Sequence, residues 1–299
     1  MRQFIVGSLI FLSLGNLAPA DVEAAKIRHL KTLYADANAV GLSRPEGVAC
    51  DNKSLVVADT GNSRVVIYAK DAQTLTAKAV LPLEGISPVT AQMNSIGDLY
   101  LLDGKERSIV KVGANSTLAG KLNPAGVPAP QNVVPRNFRI GAGDDFYLLD
   151  VFAERVLVLN AEGQYLRHLP FPQKYGFFSD LAVSLQGTIF LLDSVAGALY
   201  AADPGDETFH VINQNLKDYM NFPNNFDIDA EGTFYLSDQY GSGLALVGRD
   251  GSFQGHKLSM GWEDGQLYYP AQLCVDDMGG LAIADRNNNR VQVFNLLKE

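Results

Sequence analysis

Two cysteines, one tryptophan and four histidines are the whole stock of these residues in 299 positions. Positive charge is also short: 24 Lys and Arg stand against 33 Asp and Glu, for a formal net charge of −9. Such a body is poorly suited to nucleic acid, whose general affinity comes from neutralising phosphates. Past residue 20, no apolar run reaches the roughly 20 residues that a membrane-crossing helix needs. The chain has no Gly-x-Ser-x-Gly elbow, no Gly-Lys-Ser or Gly-Lys-Thr loop to cradle a phosphate, and no EF-hand calcium loop. Helical periodicity is weak throughout, which turns attention to strands.

What is present suits one large folded domain, with 47% hydrophobic and 19% charged residues. The N-terminus has the order of a secretory signal peptide: one base at Arg2, an apolar stretch from Phe4 to Leu14, and small residues ending in Ala18-Pro19-Ala20. Residues 1–20 are therefore expected to be removed between Ala20 and Asp21, leaving residues 21–299 as the mature domain in the periplasm or outside the cell. No cysteine sits just after the cut, so no lipid anchor is expected.

One phrase recurs along the rest of the chain: an apolar strand ending in Asp, a polar turn, then a second apolar strand. It reads LVVADTGNSRVVIY from Leu55 and returns as LYLLDGKERSIVKV, FYLLDVFAERVLVL, IFLLDSVAGALYAA, FYLSDQYGSGLALV and LAIADRNNNRVQVF. Its aspartates are Asp59, Asp103, Asp150, Asp193, Asp238 and Asp285, 43 to 47 residues apart. With a short strand upstream and another downstream, each unit makes the four-stranded blade of a propeller. The fold expected is all-β, a six-bladed β-propeller of four-stranded antiparallel blades. The sixth unit stops short of its outer strand, and Ile27-Arg28-His29-Leu30 resembles the outer strand Leu166-Arg167-His168-Leu169 of the third. The N-terminal strand is thus expected to pair onto the last blade and close the ring, covering an edge through Ile27, Leu30 and Leu33.

The segments RPEGVACDNKSLVVADTGNSRVVIY and YPAQLCVDDMGGLAIADRNNNRVQVF resemble NHL repeats, while the inner four units keep the strand-Asp-turn-strand core and lose the Asn-rich turn. The resemblance implies the propeller fold; similar propellers serve as binding platforms, as sensor domains and, more rarely, as enzymes. Asp59 and Arg64, Asp150 and Arg155, and Asp285 and Arg290 share one spacing, which assigns these aspartates to turn capping rather than to metal.

Strand alternation places the turn after each recurrent Asp at the same end of the ring as the connection into the next blade. The inner strands start there with Gly47, Thr90, Asn137, Asp180, Asn225 and Gln272, a mostly polar ring. The positions that follow, Val48, Ala91, Phe138, Leu181, Phe226 and Leu273, are apolar and expected between blades. Connections into the second-half blades bring aromatics to that end: Tyr175, Phe177 and Phe178, then Tyr219 and Phe222, then Trp262, Tyr268 and Tyr269. Asn137, Tyr175, Phe178, Asp180, Tyr219, Asn225, Trp262, Tyr268, Tyr269 and Gln272 are accordingly the candidate binding residues, for a protein partner or alternatively a peptide or glycan.

No catalytic residue and no cofactor is assigned on the binding reading. The competing reading is a hydrolase resembling gluconolactonases, whose propellers hold a divalent cation near the axis; the resemblance implies calcium or another divalent ion at Glu46, Asn137, Asp180 and Asn225. All four histidines, His29, His168, His210 and His256, fall on expected outermost strands, away from any axial zinc site of the kind found in amidating lyases. Cys50 and Cys274 lie on inner strands of blades that become neighbours on closure. Export permits a disulfide, but their opposite strand parity predicts two buried thiols.

Overall fold

A computed structural model describes residues 26–71, 74–113 and 117–297. The expected signal segment, residues 1–20, lies outside the described residues. Six four-stranded antiparallel sheets follow one another around a ring. The first is built from Gly47–Cys50, Ser54–Asp59, Arg64–Lys70 and Leu75–Pro82. The next four occupy residues 88–121, 135–170, 178–213 and 223–257 in the same order, innermost strand first. Among the described residues, no helix is long and apolar enough to cross a membrane.

The sixth sheet is closed from the other end of the chain. Leu273–Val275, Gly280–Asp285 and Arg290–Leu297 supply three strands, and Lys26–Leu33 pairs antiparallel with the last of them, Leu33 opposite Val291 and Lys26 opposite Leu297. The burial expected of this strand is only partly realised. Leu33 is buried, but a register shift between His29 and Lys31 turns Leu30 outward, 47% exposed.

Strand position explains composition. Second and third strands such as Phe146–Asp150 and Arg155–Leu159 are buried at every residue, because blades cover both of their faces. They therefore read as unbroken apolar runs rather than alternating ones. Outermost strands such as Tyr165–Pro170 alternate exposed and covered positions and carry the charges that blunt a free edge. The apolar inner-strand positions Val48, Ala91, Phe138, Leu181, Phe226 and Leu273 are all fully buried between blades, as expected.

All six recurrent aspartates are buried. Each accepts a hydrogen bond from the backbone N–H of the loop that enters its own blade: Ser43 to Asp59 (2.6 Å), Ser87 to Asp103, Val134 to Asp150, Phe177 to Asp193, Phe222 to Asp238 and Tyr268 to Asp285 (2.7 Å). Arg64, Arg155 and Arg290 donate from Nε to the aspartate of their blade and reach the carbonyls of the same loop. The aspartates thus anchor the incoming loop as well as the turn that follows them. In the first and last units the Asn-rich turn adds a third tie: Asn62 donates to Asp59 and Gly41, and Asn288 to Asp285 and Gly261.

Cys50 and Cys274 form a disulfide, with Cα atoms 6.0 Å apart, contrary to the expectation of two thiols. Parity orders side chains within one sheet, whereas these cysteines belong to two sheets that converge at the axis. The same seam carries an ion pair between Lys70 and Asp276 and another between Glu46 and Arg286.

Candidate functional site

The polar ring at the inner-strand starts is a hydrogen-bonded girdle. Thr90 donates to Asn137 Oδ1, Asn137 Nδ2 to Asp180 Oδ1 (2.6 Å), and Asn225 Nδ2 to Asp180 Oδ2 (2.6 Å). Asn225 Oδ1 accepts from Leu273 N–H, and Gln272 Oε1 accepts from both Val48 and Ala91 N–H. Blade after blade is stitched to the next in this way. The first blade contributes no side chain because Gly47 stands where a Cβ would come within 3.0 Å of the Ala91 nitrogen, the atom that Gln272 reaches across to bind.

One layer deeper, Arg139 closes the axis. Its Nε donates to Leu181 O, and its Nη2 donates to Phe226 O (2.7 Å) and Asp180 Oδ2 (3.0 Å). Asp180 is fully buried; burial pushes its carboxyl up to about 6, against the opposing pull of Arg139 and of the Phe226 and Leu181 amides. Burial likewise raises the Asp227 carboxyl, with Arg139 again opposing.

Above this floor opens a mouth of about 460 Å³. Asn137, Asn225, Gln272 and Tyr269 line it, as expected, together with Glu46, Ser179, Asn224 and Gln239. Three arginines, Arg107, Arg136 and Arg286, also line it and were not among the expected site residues. Their signal was available in the sequence: Arg107 and Arg286 lie in turns after recurrent aspartates, and Arg136 immediately precedes Asn137, all in segments assigned to this end. Arg286 pairs with Glu46 at 3.0 Å, and its guanidinium sits 6.0 Å from the centre of the Tyr269 ring. Arg136 stacks over the Phe177 ring at 4.1 Å. Burial first, and then the nearby charge of Arg107, depress the Arg136 pKa.

The expected aromatics separate into three groups. Phe178 is a core residue, 2% exposed and packed against Phe171 and Tyr200, so it cannot meet a ligand. Tyr175 stacks on Phe178 and donates to Glu154, while Tyr219 lies flat on Phe253 with centroids 4.0 Å apart; each packs on the first residue of a strand and neither lines the mouth. Trp262, Tyr268 and Tyr269 form an outward-facing group with Tyr240, linked by Trp262–Tyr268 and Tyr240–Tyr269 contacts. Trp262 is 74% exposed, yet its loop is tied down: Arg290 donates to the carbonyls of Trp262, Glu263 and Gln266, and Gly265 N–H donates to Gln292.

The oxygens suggested for a divalent cation already accept hydrogen bonds from the protein. Glu46 is held by Arg286, Asn137 Oδ1 by Thr90 and Phe138 N–H, Asn225 Oδ1 by Leu273 N–H, and both Asp180 oxygens by side-chain amides. As arranged, this donor set does not fit a cation, which would have to displace those partners. The four histidines all lie on outermost strands, His29 on Lys26–Leu33, His168 on Tyr165–Pro170, His210 on His210–Asn213 and His256 on Phe253–Lys257.

Fold and site together define a six-bladed β-propeller with a closed axis and a polar, arginine-bearing mouth at one end. The sequence model of the NHL repeat family matches residues 42–68 and 267–294, the first and last units of the ring. A 35-residue stretch is 63% identical to Protein wech of Drosophila melanogaster, covering 12% of this chain and 4% of that protein. Among solved structures, the gluconolactonase XC5397 of Xanthomonas campestris superposes with a TM-score of 0.67 at 16% identity, over 91% of this chain and 90% of that one. Virginiamycin B lyase of Staphylococcus aureus gives 0.60 at 11% identity, over 91% and 100%. Hydrazine synthase of Kuenenia stuttgartiensis gives 0.62 at 12% identity, over 87% and 97%. At these identities the likeness is one of fold.

Proposed function

We propose that this chain is an exported NHL-type propeller that serves as a binding platform for an envelope or extracellular protein, engaging it at the mouth end of blades four to six. The observation that carries the reading is Trp262, an exposed indole on a loop fixed by Arg290 and flanked by Tyr268. A large aromatic held in place loses little freedom on binding, which is the character of an interface anchor. Export rests on the order of residues 1–20 and accords with the Cys50–Cys274 disulfide, since such bonds persist in oxidising compartments. Binding is preferred to metal-dependent hydrolysis because the oxygens that would hold a cation are engaged by protein donors.

The test is partner capture from the native envelope fraction with matched variants. Trp262→Ala together with Tyr269→Ala is expected to weaken recovery by at least tenfold, since losing a central anchor commonly costs about 2 kcal/mol or more. Changes at Gln164 or Ser252, in the third-to-fourth-strand turns of the opposite end, should leave recovery intact. Loss of capture on the opposite-end changes alone would place the interface on the wrong face.

A further inference from the structure

The mouth differs in sign from the molecule around it. The whole chain carries a net charge of −9, whereas Arg107, Arg136 and Arg286 face a single acid, Glu46, in the lining. Arg286 and Glu46 satisfy one another at 3.0 Å, which leaves the positive excess on Arg107 and Arg136. Neither of those side chains has a hydrogen-bond acceptor or a carboxylate partner among the described residues, and Arg136 Nε is buried without one. Arg136 is nonetheless fixed in position by its stack on Phe177 at 4.1 Å. Two guanidinium groups close enough to repel, one of them half-buried with its Nε unpaired, are stabilised by an anion that completes them.

We propose that Arg107 and Arg136 form a carboxylate-binding site, and that the partner enters the mouth with an acidic peptide segment. The proposal rests on the mouth end being the binding end and names the chemistry that it recognises. The planar, forked guanidinium matches a carboxylate through paired N–H donors. Ser179, Asn224 and Gln239 add uncharged polar groups around it, and Tyr269 offers an apolar face to the neighbouring residues of such a segment. A mouth of about 460 Å³ holds a few residues. A nucleic acid strand, whose charges continue along its length, would run from this small positive region onto an acidic body.

The experiment is calorimetric titration of the full mature chain, at low ionic strength, with three probes: a capped Glu-rich pentapeptide, its Gln counterpart and a single-stranded oligonucleotide. The Glu peptide is expected to bind at least tenfold more tightly than either of the others. Arg136→Gln and Arg107→Gln should each weaken it about tenfold, and Arg249→Gln, in the recess at the opposite end, should leave it unchanged. Arg107 is exposed, so its variant tests the site without burdening the fold. Equal binding of the Glu and Gln peptides, indifference to both arginine changes, tighter binding of the oligonucleotide, or no binding of the Glu peptide would each overturn the proposal. If the Trp262 and Tyr269 changes abolish partner capture while the arginine changes do not, the binding end stands and the carboxylate assignment falls.

Discussion

At the scale of single residues, the ring at the inner-strand starts has two jobs. Asn137, Asn225 and Gln272 line the mouth, but their amides are spent on neighbouring blades, so each change there alters the girdle as well as the floor. Asp180 is the extreme case, a buried carboxylate that receives hydrogen bonds from Asn137, Asn225, Phe226 N–H and Arg139. Its pKa of about 6 lies above the ordinary 3.8, so the native state binds the extra proton between those values. The stability it contributes is therefore complete below about pH 4 and is lost as the pH rises through about 6, on the order of 3 kcal/mol in all. Urea unfolding of the wild type and of Asp180→Asn across pH 4 to 7 isolates this term. The wild-type stability should fall relative to that of the variant over the window, and a flat difference would mean that the four donors outweigh burial.

Single residues also explain why the outer units look most like NHL repeats. Asn62 and Asn288 tie the turn after the recurrent Asp to the incoming loop, whereas the fourth and fifth units secure the same loop by backbone donors to the Asp, as at Gly176 and Asn221, and the third adds Arg155. The recurrent Asp is needed in every unit; the Asn is one of several ways to finish the turn.

At the scale of elements, closure depends on Lys26–Leu33. Without it, Arg290–Leu297 becomes an edge, and the buried Leu33 is lost along with the ladder from Leu33–Val291 to Lys26–Leu297. Deleting residues 26–33 should cost on the order of 3 kcal/mol, roughly 6–12 °C in melting temperature for a domain of this size. A change under about 2 °C by calorimetry would show that the ring holds without its clasp. The Cys50–Cys274 bond is a second closure, spanning 224 residues of sequence. Cross-linking so long a loop restricts the unfolded chain, so Cys50→Ala with Cys274→Ala should lower stability by roughly 3–5 kcal/mol. Reductant should bring the wild type to the level of the double variant and leave the variant itself unmoved; equal stability of oxidised wild type and variant would deny the bond any closing role.

At the scale of the whole molecule, charge is distributed against its own average, with a small positive mouth in an acidic body. Such an arrangement favours approach of a short acidic segment at one end and discourages binding elsewhere, and its effect fades with salt beyond a Debye length of about 8 Å. The ring itself is held by devices of different reach: the axial girdle from Thr90 to Gln272, the Asp-anchored loops, and at the seam of first and last blades the added strand, the disulfide and the Lys70–Asp276 and Glu46–Arg286 pairs.

The sequence by itself determined the blade count, the strand order within each blade, the apolar layer from Val48 to Leu273 and the return of the N-terminal strand. Period and binary pattern are local quantities, and a repeat states them six times. It also determined that the histidines lie outside, because strand position follows directly from the register of each unit. Only the tertiary structure decided which of the candidate residues face the mouth. Phe178 went to the core and Tyr219 onto Phe253, whereas Arg107, Arg136 and Arg286 came together from three separate units. The disulfide was decided at the same level, since strand parity orders side chains within a sheet and is silent about where two sheets converge on the axis.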